Sequence, residues 1–135
     1  ADVRDLKAVA RAFDVAEEHF GVVDLFVANA GIGFFETPLE VTPESWGNVM
    51  SSNLDSVFFG CQLAAQRMIA NNRTGSIITV ASVAGLRVPG RLASYGIAKA
   101  AVIQATRQLA LELGPKGIRV NGIAPGWILT EMNAD

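Results

Sequence analysis

The sequence predicts an α/β fold in which a parallel sheet of about three strands is joined by helices through right-handed crossovers. Short apolar, β-branched runs at 22–28, 76–81 and 117–124 read as buried strands. Longer stretches at 6–20, 43–72 and 94–113 carry apolar residues at helical spacing and alternate with those runs. Gly, Pro or Asn stands at most of the junctions, as expected where one element stops and another starts.

Leu6, Val9, Ala10, Phe13, Ala16 and Phe20 define the first helix, and Gly21 ends it. Asp2 precedes this helix and is a candidate for its N-cap. The lone histidine, His19, is expected as a solvated residue placed favourably against the helix C-terminal dipole. Val22–Ala28 is almost continuously apolar, as suits a parallel strand covered on both faces. Asn29-Ala30-Gly31 follows directly. These small residues form either a plain turn or a place where backbone approaches a flat ligand beyond the carboxyl end of a strand. Gly31-Ile32-Gly33 does not open a dinucleotide fingerprint, because position 36 is Glu and Thr37-Pro38 stand where a helix should begin. Phe34 and Phe35 are expected in a loop that packs over the sheet or lines a pocket edge.

Thr42-Pro43-Glu44 is a strong helix start, with a capping hydroxyl, Pro at the first position and an acid in the first turn. Trp46, Met50, Asn53, Val57, Ala64 and Met68 trace one face of a long helix that ends near Asn71-Asn72. Asn53 is the polar member of that face and must find partners there, as a satisfied core amide or as part of a site. The third helix runs from Ser94, its expected N-cap, to Leu113, with Gly114-Pro115 as the stop signal. It is apolar on more than one stripe, so it should be buried on more than one side. Gly117–Ala124 reads as the last strand, and Pro125-Gly126 breaks it ahead of Trp127 and Ile128.

The chemistry-bearing stretch lies between the second strand and the third helix. Ser82 closes the strand, a loop runs through Gly85 and Pro89-Gly90, and Tyr95 and Lys99 follow four residues apart. On a helix that spacing puts the phenol and the ammonium on one face. A phenol, with an ordinary pKa of about 10, is a poor base at neutral pH. A nearby ammonium favours the phenolate, and a serine at the strand end can hold or polarise a carbonyl oxygen. Taken alone, Tyr-x-x-x-Lys is most often a surface pair; the ordered serine, strand end and helix start give it weight.

Composition narrows the function classes. The chain has 135 residues, half of them hydrophobic, enough for one domain, and a net charge of −2 gives no nucleic-acid or anionic-membrane footprint. No apolar run reaches the ~18 residues of a transmembrane helix, and the N-terminus lacks a signal-peptide pattern. Cys61 is expected as a buried structural thiol, consistent with a cytoplasmic setting. A single histidine excludes His-rich metal sites and weakens a Ser-His-Asp scheme, and no nucleophile-elbow motif is present. No metal site is expected.

Ser82, Tyr95 and Lys99, with Asn29-Ala30-Gly31 and Asn53 upstream and Pro125-Gly126 downstream, resemble the short-chain dehydrogenase/reductase family, every motif standing in family order. The resemblance runs along nearly the whole chain and is most similar to the 3-oxoacyl-carrier-protein reductase-like group. It implies a partial Rossmann-type, doubly wound parallel sheet over residues 1–135. It also implies hydride transfer between NAD or NADP and a small-molecule carbonyl or secondary alcohol. By the same resemblance, Tyr95 is the acid/base, Lys99 supports it and holds ribose hydroxyls, Ser82 fixes the oxygen, and Asn53 helps hold a water linking Lys99 to solvent. Asp2, with Val3, looks like the pair beside the cofactor's adenine, a role weighed evenly against the N-cap. Asn29, Ala30 and Gly31 look like the family's Asn-Ala-Gly beside the cofactor's adenine-ribose half. Pro125, Gly126, Ile128 and Thr130 match the segment that holds the nicotinamide carboxamide. The two long helices are those the family pairs across a two-fold axis, implying a homodimer or homotetramer. The family's Gly-rich phosphate loop and its substrate-shaping C-terminal segment do not occur in these 135 residues, so the expected content is the catalytic half, from a fragment or a chain whose ends were lost. The competing expectation is a non-catalytic interaction module.

Overall fold

The structure, a computed structural model, describes residues 1–128. Helix α1 (Leu6–Phe20) starts at Asp5, whose carboxylate accepts from the Lys7 and Ala8 N–H groups. Asp2 is therefore not the cap. Its carboxylate is taken by Arg4, through a 2.7 Å ion pair and the Arg4 backbone N–H. Gly21, at φ 81, closes the helix in a conformation that costs glycine little. His19 lies exposed in the last turn, its Nδ1 2.8 Å from the Val15 carbonyl oxygen.

Strand β1 (Leu25–Ala28) is followed by α2 (Pro43–Met50), capped by Thr42 in a reciprocal pair with Ser45. The sequence predicts one long helix here. Instead, α2 passes into a π-helical turn (Ser51–Asp55) before α3 (Ser56–Ala70). A π turn spreads one extra residue over the helix, and such turns concentrate at functional sites. This one buries Ser52 and Asn53. Strand β2 (Gly75–Val80) leads to a short 3₁₀ turn (Val83–Gly85) and then to α4 (Ala93–Leu113). A second 3₁₀ turn (Gly114–Lys116) and the left-handed Gly117 deliver β3 (Ile118–Ile123).

Ser94 does not cap α4. The helix begins one residue earlier, the cap position Leu92 makes no side-chain bond, and the buried Ser94 Oγ has no hydrogen-bond partner among the described residues. A tertiary contact takes the cap's place: the Glu36 carbonyl accepts the Ala93 N–H, and Glu36 bridges Leu92.

The sheet is parallel throughout, in the order β1-β2-β3. Phe26 and Ala28 lie opposite Ile77 and Thr79, which lie opposite Val120 and Gly122, so these six share one face. All three long helices cover that face. Phe26 meets Phe13 of α1, Gly60 of α3 has the Phe26 ring against it, and Thr79 bonds Thr106 of α4. The core they enclose includes Val57, Cys61, Met68, Ile77, Val102 and Ile118. Strand β1 was expected to be covered on both sides, but Leu25 and Val27 are 53% and 47% exposed. They lie on the opposite face with Ile123, where a doubly wound sheet carries its second helical layer.

Candidate active site

The sequence-predicted residues gather beyond the carboxyl ends of the three strands. Asn29-Ala30-Gly31 follows β1, Ser82 follows β2, and Pro125-Gly126 follows β3. The ladder runs past the strand ends into this region. Ala81 N–H donates to the Ile123 carbonyl at 2.8 Å, and Val83 N–H to the Pro125 carbonyl at 2.9 Å. Those two bonds fix the Ser82 turn to the Pro-Gly turn.

Ser82 is buried, and its Oγ accepts the Ala84 N–H at 3.1 Å, capping the 3₁₀ turn. Its own hydroxyl proton is then left to donate to a ligand oxygen. Tyr95 is half-buried in the first turn of α4, with the Lys99 Nζ 5.6 Å from the centre of its ring. Lys99 is only 3% exposed and donates to the Val80 carbonyl at 2.8 Å. That bond uses one of three ammonium hydrogens and holds the head group two residues from Ser82. Burial pushes the Lys99 pKa below its ordinary 10.5, because desolvation disfavours the charged form.

Asn53 is fully buried and paired on both sides of its amide: Oδ1 accepts the Ile32 N–H at 2.8 Å, and Nδ2 donates to the Ile32 carbonyl at 2.7 Å. The π turn thus grips the loop after β1. A β-carbon on Gly31 would stand 2.8 Å from Asn53 Oδ1 and 3.5 Å from Lys99 Nζ, so Asn53, Gly31 and Lys99 are contiguous.

On the β1 side, Val3, Asn29 and Ala30 share the lining of a small cavity of about 60 Å³. Asp2 is exposed, and the Arg4 guanidinium beside it holds its carboxyl down to about 2. Ile128 lies exposed beyond the Pro-Gly turn, and Thr130 falls outside the described residues. A larger cavity, about 590 Å³, opens at the amino-terminal end of the strands among Asp24, Arg73, Gly75 and Arg119. It lies at the opposite end of the sheet from Ser82 and Lys99. Among the described residues no His, Cys, Asp and Glu cluster could hold a metal. Cys61 is buried, its thiol pushed up to about 12, and takes no part.

Sequence reasoning missed the supporting groups. The Ile32 backbone, the Val80 carbonyl and the Ala84 N–H carry no side-chain signature. Phe35 stacks on Trp127, rings 6.3 Å apart and 6° from parallel, joining the loops after β1 and β3. The aromatic character of both loops was the available signal for that contact.

The family model described as "Enoyl-(Acyl carrier protein) reductase" matches residues 1–135. The 3-oxoacyl-[acyl-carrier-protein] reductase MabA of Mycobacterium avium is 41% identical over 131 residues, 97% of this chain and 51% of that protein. A short-chain type dehydrogenase/reductase from Mycobacterium marinum superposes with a TM-score of 0.93 at 35% identity, over 98% of this chain and 53% of the other. A 4-hydroxyisoleucine dehydrogenase complexed with NADH superposes at 0.89 and 31% identity, over 97% and 58%. The chain spans about half the length of the curated relatives it matches. With its three parallel strands and the Ser82–Tyr95–Lys99 arrangement at their carboxyl ends, the chain belongs to the short-chain dehydrogenase/reductase family.

Proposed function

We propose that this chain carries the catalytic half of an NAD- or NADP-dependent oxidoreductase that interconverts a carbonyl and a secondary alcohol. The observation that carries the reading is the Lys99 ammonium, buried, facing the Tyr95 ring and tied to the carbonyl of Val80, which stands two residues before Ser82. The bound nicotinamide would supply or accept the hydride. Everything else falls to the protein. Ser82, its lone pair engaged by Ala84, donates its hydroxyl proton to the substrate oxygen. The Tyr95 hydroxyl gives that oxygen its proton in reduction and takes it back in oxidation. The Lys99 charge stabilises the phenolate left behind, in a setting where burial strengthens the attraction. Its remaining N–H groups would hold ribose hydroxyls. Asn53 keeps the loop after β1 in place and supports the proton path behind Lys99.

The residues present fit a dinucleotide. Val3, Asn29 and Ala30 line a cavity beside β1, and the bare Gly31 lets the loop after β1 close onto Asn53 and Lys99. These residues, with Asp2, would face the adenine-ribose half, and Pro125, Gly126, Ile128 and Thr130 the carboxamide. The solved relative complexed with NADH supports nicotinamide use. Pairing of α3 and α4 with a second copy is supported by exposed apolar side chains on both helices, Phe59 and Ile69 on α3 and Ile97 on α4. No helix among the described residues is long and apolar enough to cross a membrane. A cytoplasmic location agrees with that and with the single free thiol.

The test is Tyr95→Phe in the full-length gene product, followed by loss of reduced-cofactor absorbance and by thermal melting. One hydroxyl is deleted, so turnover should fall by roughly 10²–10⁴-fold with the melting temperature unchanged. Turnover close to the parent's would remove Tyr95 from the acid/base role.

A further inference from the structure

Two glycines seat the Ser82 turn directly on the backbone of α4. A β-carbon added to Gly85 would stand 2.7 Å from the Ala100 nitrogen, 2.7 Å from the Lys99 carbonyl carbon and 2.8 Å from its oxygen. One added to Gly96 would stand 3.2 Å from the Ala84 carbonyl oxygen, on the other side of the same seam. Neither glycine has positive φ, so close approach rather than backbone conformation calls for glycine at both. The atoms in the way at Gly85 are all backbone, and no trimmed side chain could make room. By contrast, no atom of the described residues lies within 4 Å of a β-carbon at Gly114.

The seam touches the reaction groups on both sides. The Gly85 N–H donates to the Ser82 carbonyl at 3.0 Å, and Ala84 N–H holds Ser82 Oγ, so the serine moves with the turn. On the helix side the contact falls on Lys99 itself, with Gly96 adjacent to Tyr95. We propose that Gly85 is a positioning residue for the reaction. Its missing β-carbon sets the distance from Ser82 to Tyr95 and Lys99, with Gly96 tuning the same gap. This rests on the reading of those three side chains as the reaction groups.

Gly85→Ala, Gly96→Ala and Gly114→Ala should be compared in the full-length gene product by turnover, reduced-cofactor binding and crystal structure. Because a misplacement of 1 Å costs roughly a hundredfold, Gly85→Ala should lower kcat about tenfold or more. Its crystal structure should show Ser82 displaced from Lys99, while cofactor stoichiometry stays that of the parent. Gly96→Ala should lower kcat by a smaller factor, and Gly114→Ala should leave it unchanged. A folded Gly85→Ala protein with parental kcat and an unmoved Ser82 would overturn the proposal. Should Gly85→Ala fail to fold, Gly96→Ala decides: a lowered kcat at unchanged melting temperature supports the proposal, and parental kcat overturns it. Retained turnover in Tyr95→Phe would sink the acid/base reading by itself, since the displacement of Ser82 is read without any turnover.

Discussion

A buried ammonium costs solvation that its surroundings must offset, and Lys99 meets that cost with one carbonyl and one ring face. Its pKa in the fold lies below 10.5, so between that lowered value and 10.5 the unfolded chain binds more protons than the folded one. Stability therefore gains from Lys99 as pH rises through that window. Lys99→Met keeps the aliphatic stem but removes the titration, so the melting temperature of the variant should lack that gain. Melting curves of parent and variant at a series of alkaline pH values give the comparison, and parallel curves would mean that Lys99 titrates as a solvated lysine. Turnover should fall too, by roughly a hundredfold or more, as the phenolate loses its partner. The placement of Ser82 at a strand end and of Tyr95 and Lys99 on one helix was legible because strand end, helix start and i,i+4 spacing are written in residue types. What holds them was not. Asn53 pairs with the Ile32 backbone, and Lys99 with the Val80 carbonyl, groups that every residue carries. The Asp2 cap failed for a related reason: two acids precede α1, and the one beside Arg4 was already taken.

At the scale of elements, the hold of α1 on α3 depends on Arg67. Its two terminal nitrogens each lie 2.6 Å from a carboxylate, of Glu17 and of Asp14, and its guanidinium covers the Phe13 ring. Exposed ion pairs contribute about 0–1 kcal/mol, which is what the half-solvated Asp14 arm should give. The Glu17 arm is different, since Arg67 and Glu17 side chains are only 21% and 19% exposed and Glu17 Oε1 already lacks a partner among the described residues. Arg67→Ala would strand a mostly buried carboxylate, so the expected loss is about 1–3 kcal/mol. Urea unfolding at constant m-value reads this directly. A midpoint shift equivalent to less than about half a kcal/mol would place the whole cluster in the class of exposed pairs. Element identity and order followed from apolar period and punctuation. The π turn did not, because Trp46, Met50, Asn53 and Val57 keep a helical stripe across it, and widening one turn leaves that stripe intact. The start of α4 was misplaced because the Glu36 carbonyl, distant in sequence, does the work expected of the Ser94 hydroxyl.

At the scale of the whole molecule, α1, α3 and α4 all lie on one face of a three-stranded sheet, and among the described residues no helix covers the other face. Leu25, Val27 and Ile123 stand on it roughly half exposed, while β1 at one side and β3 at the other are edge strands among the described residues. Edges of that kind recruit further chains, and a net charge of −2 offers little repulsion to prevent it. The 135 residues also lack a Gly-rich loop opening a helix, the arrangement whose amides hold a pyrophosphate. The 135-residue chain prepared alone should therefore self-associate and bind NADH or NADPH poorly. Leu25→Lys and Val27→Lys place charge on that face without touching Ser82, Tyr95 or Lys99, and should shift the population toward smaller species. Were association to run through α3 and α4 instead, Phe59→Lys and Ile97→Lys would have that effect and the strand variants none. Light scattering on the four variants separates the two routes, and titration calorimetry with each reduced cofactor measures the rest. A monomer that binds either cofactor at micromolar strength, about −8 kcal/mol, would show that three strands and one covered face suffice to hold a dinucleotide.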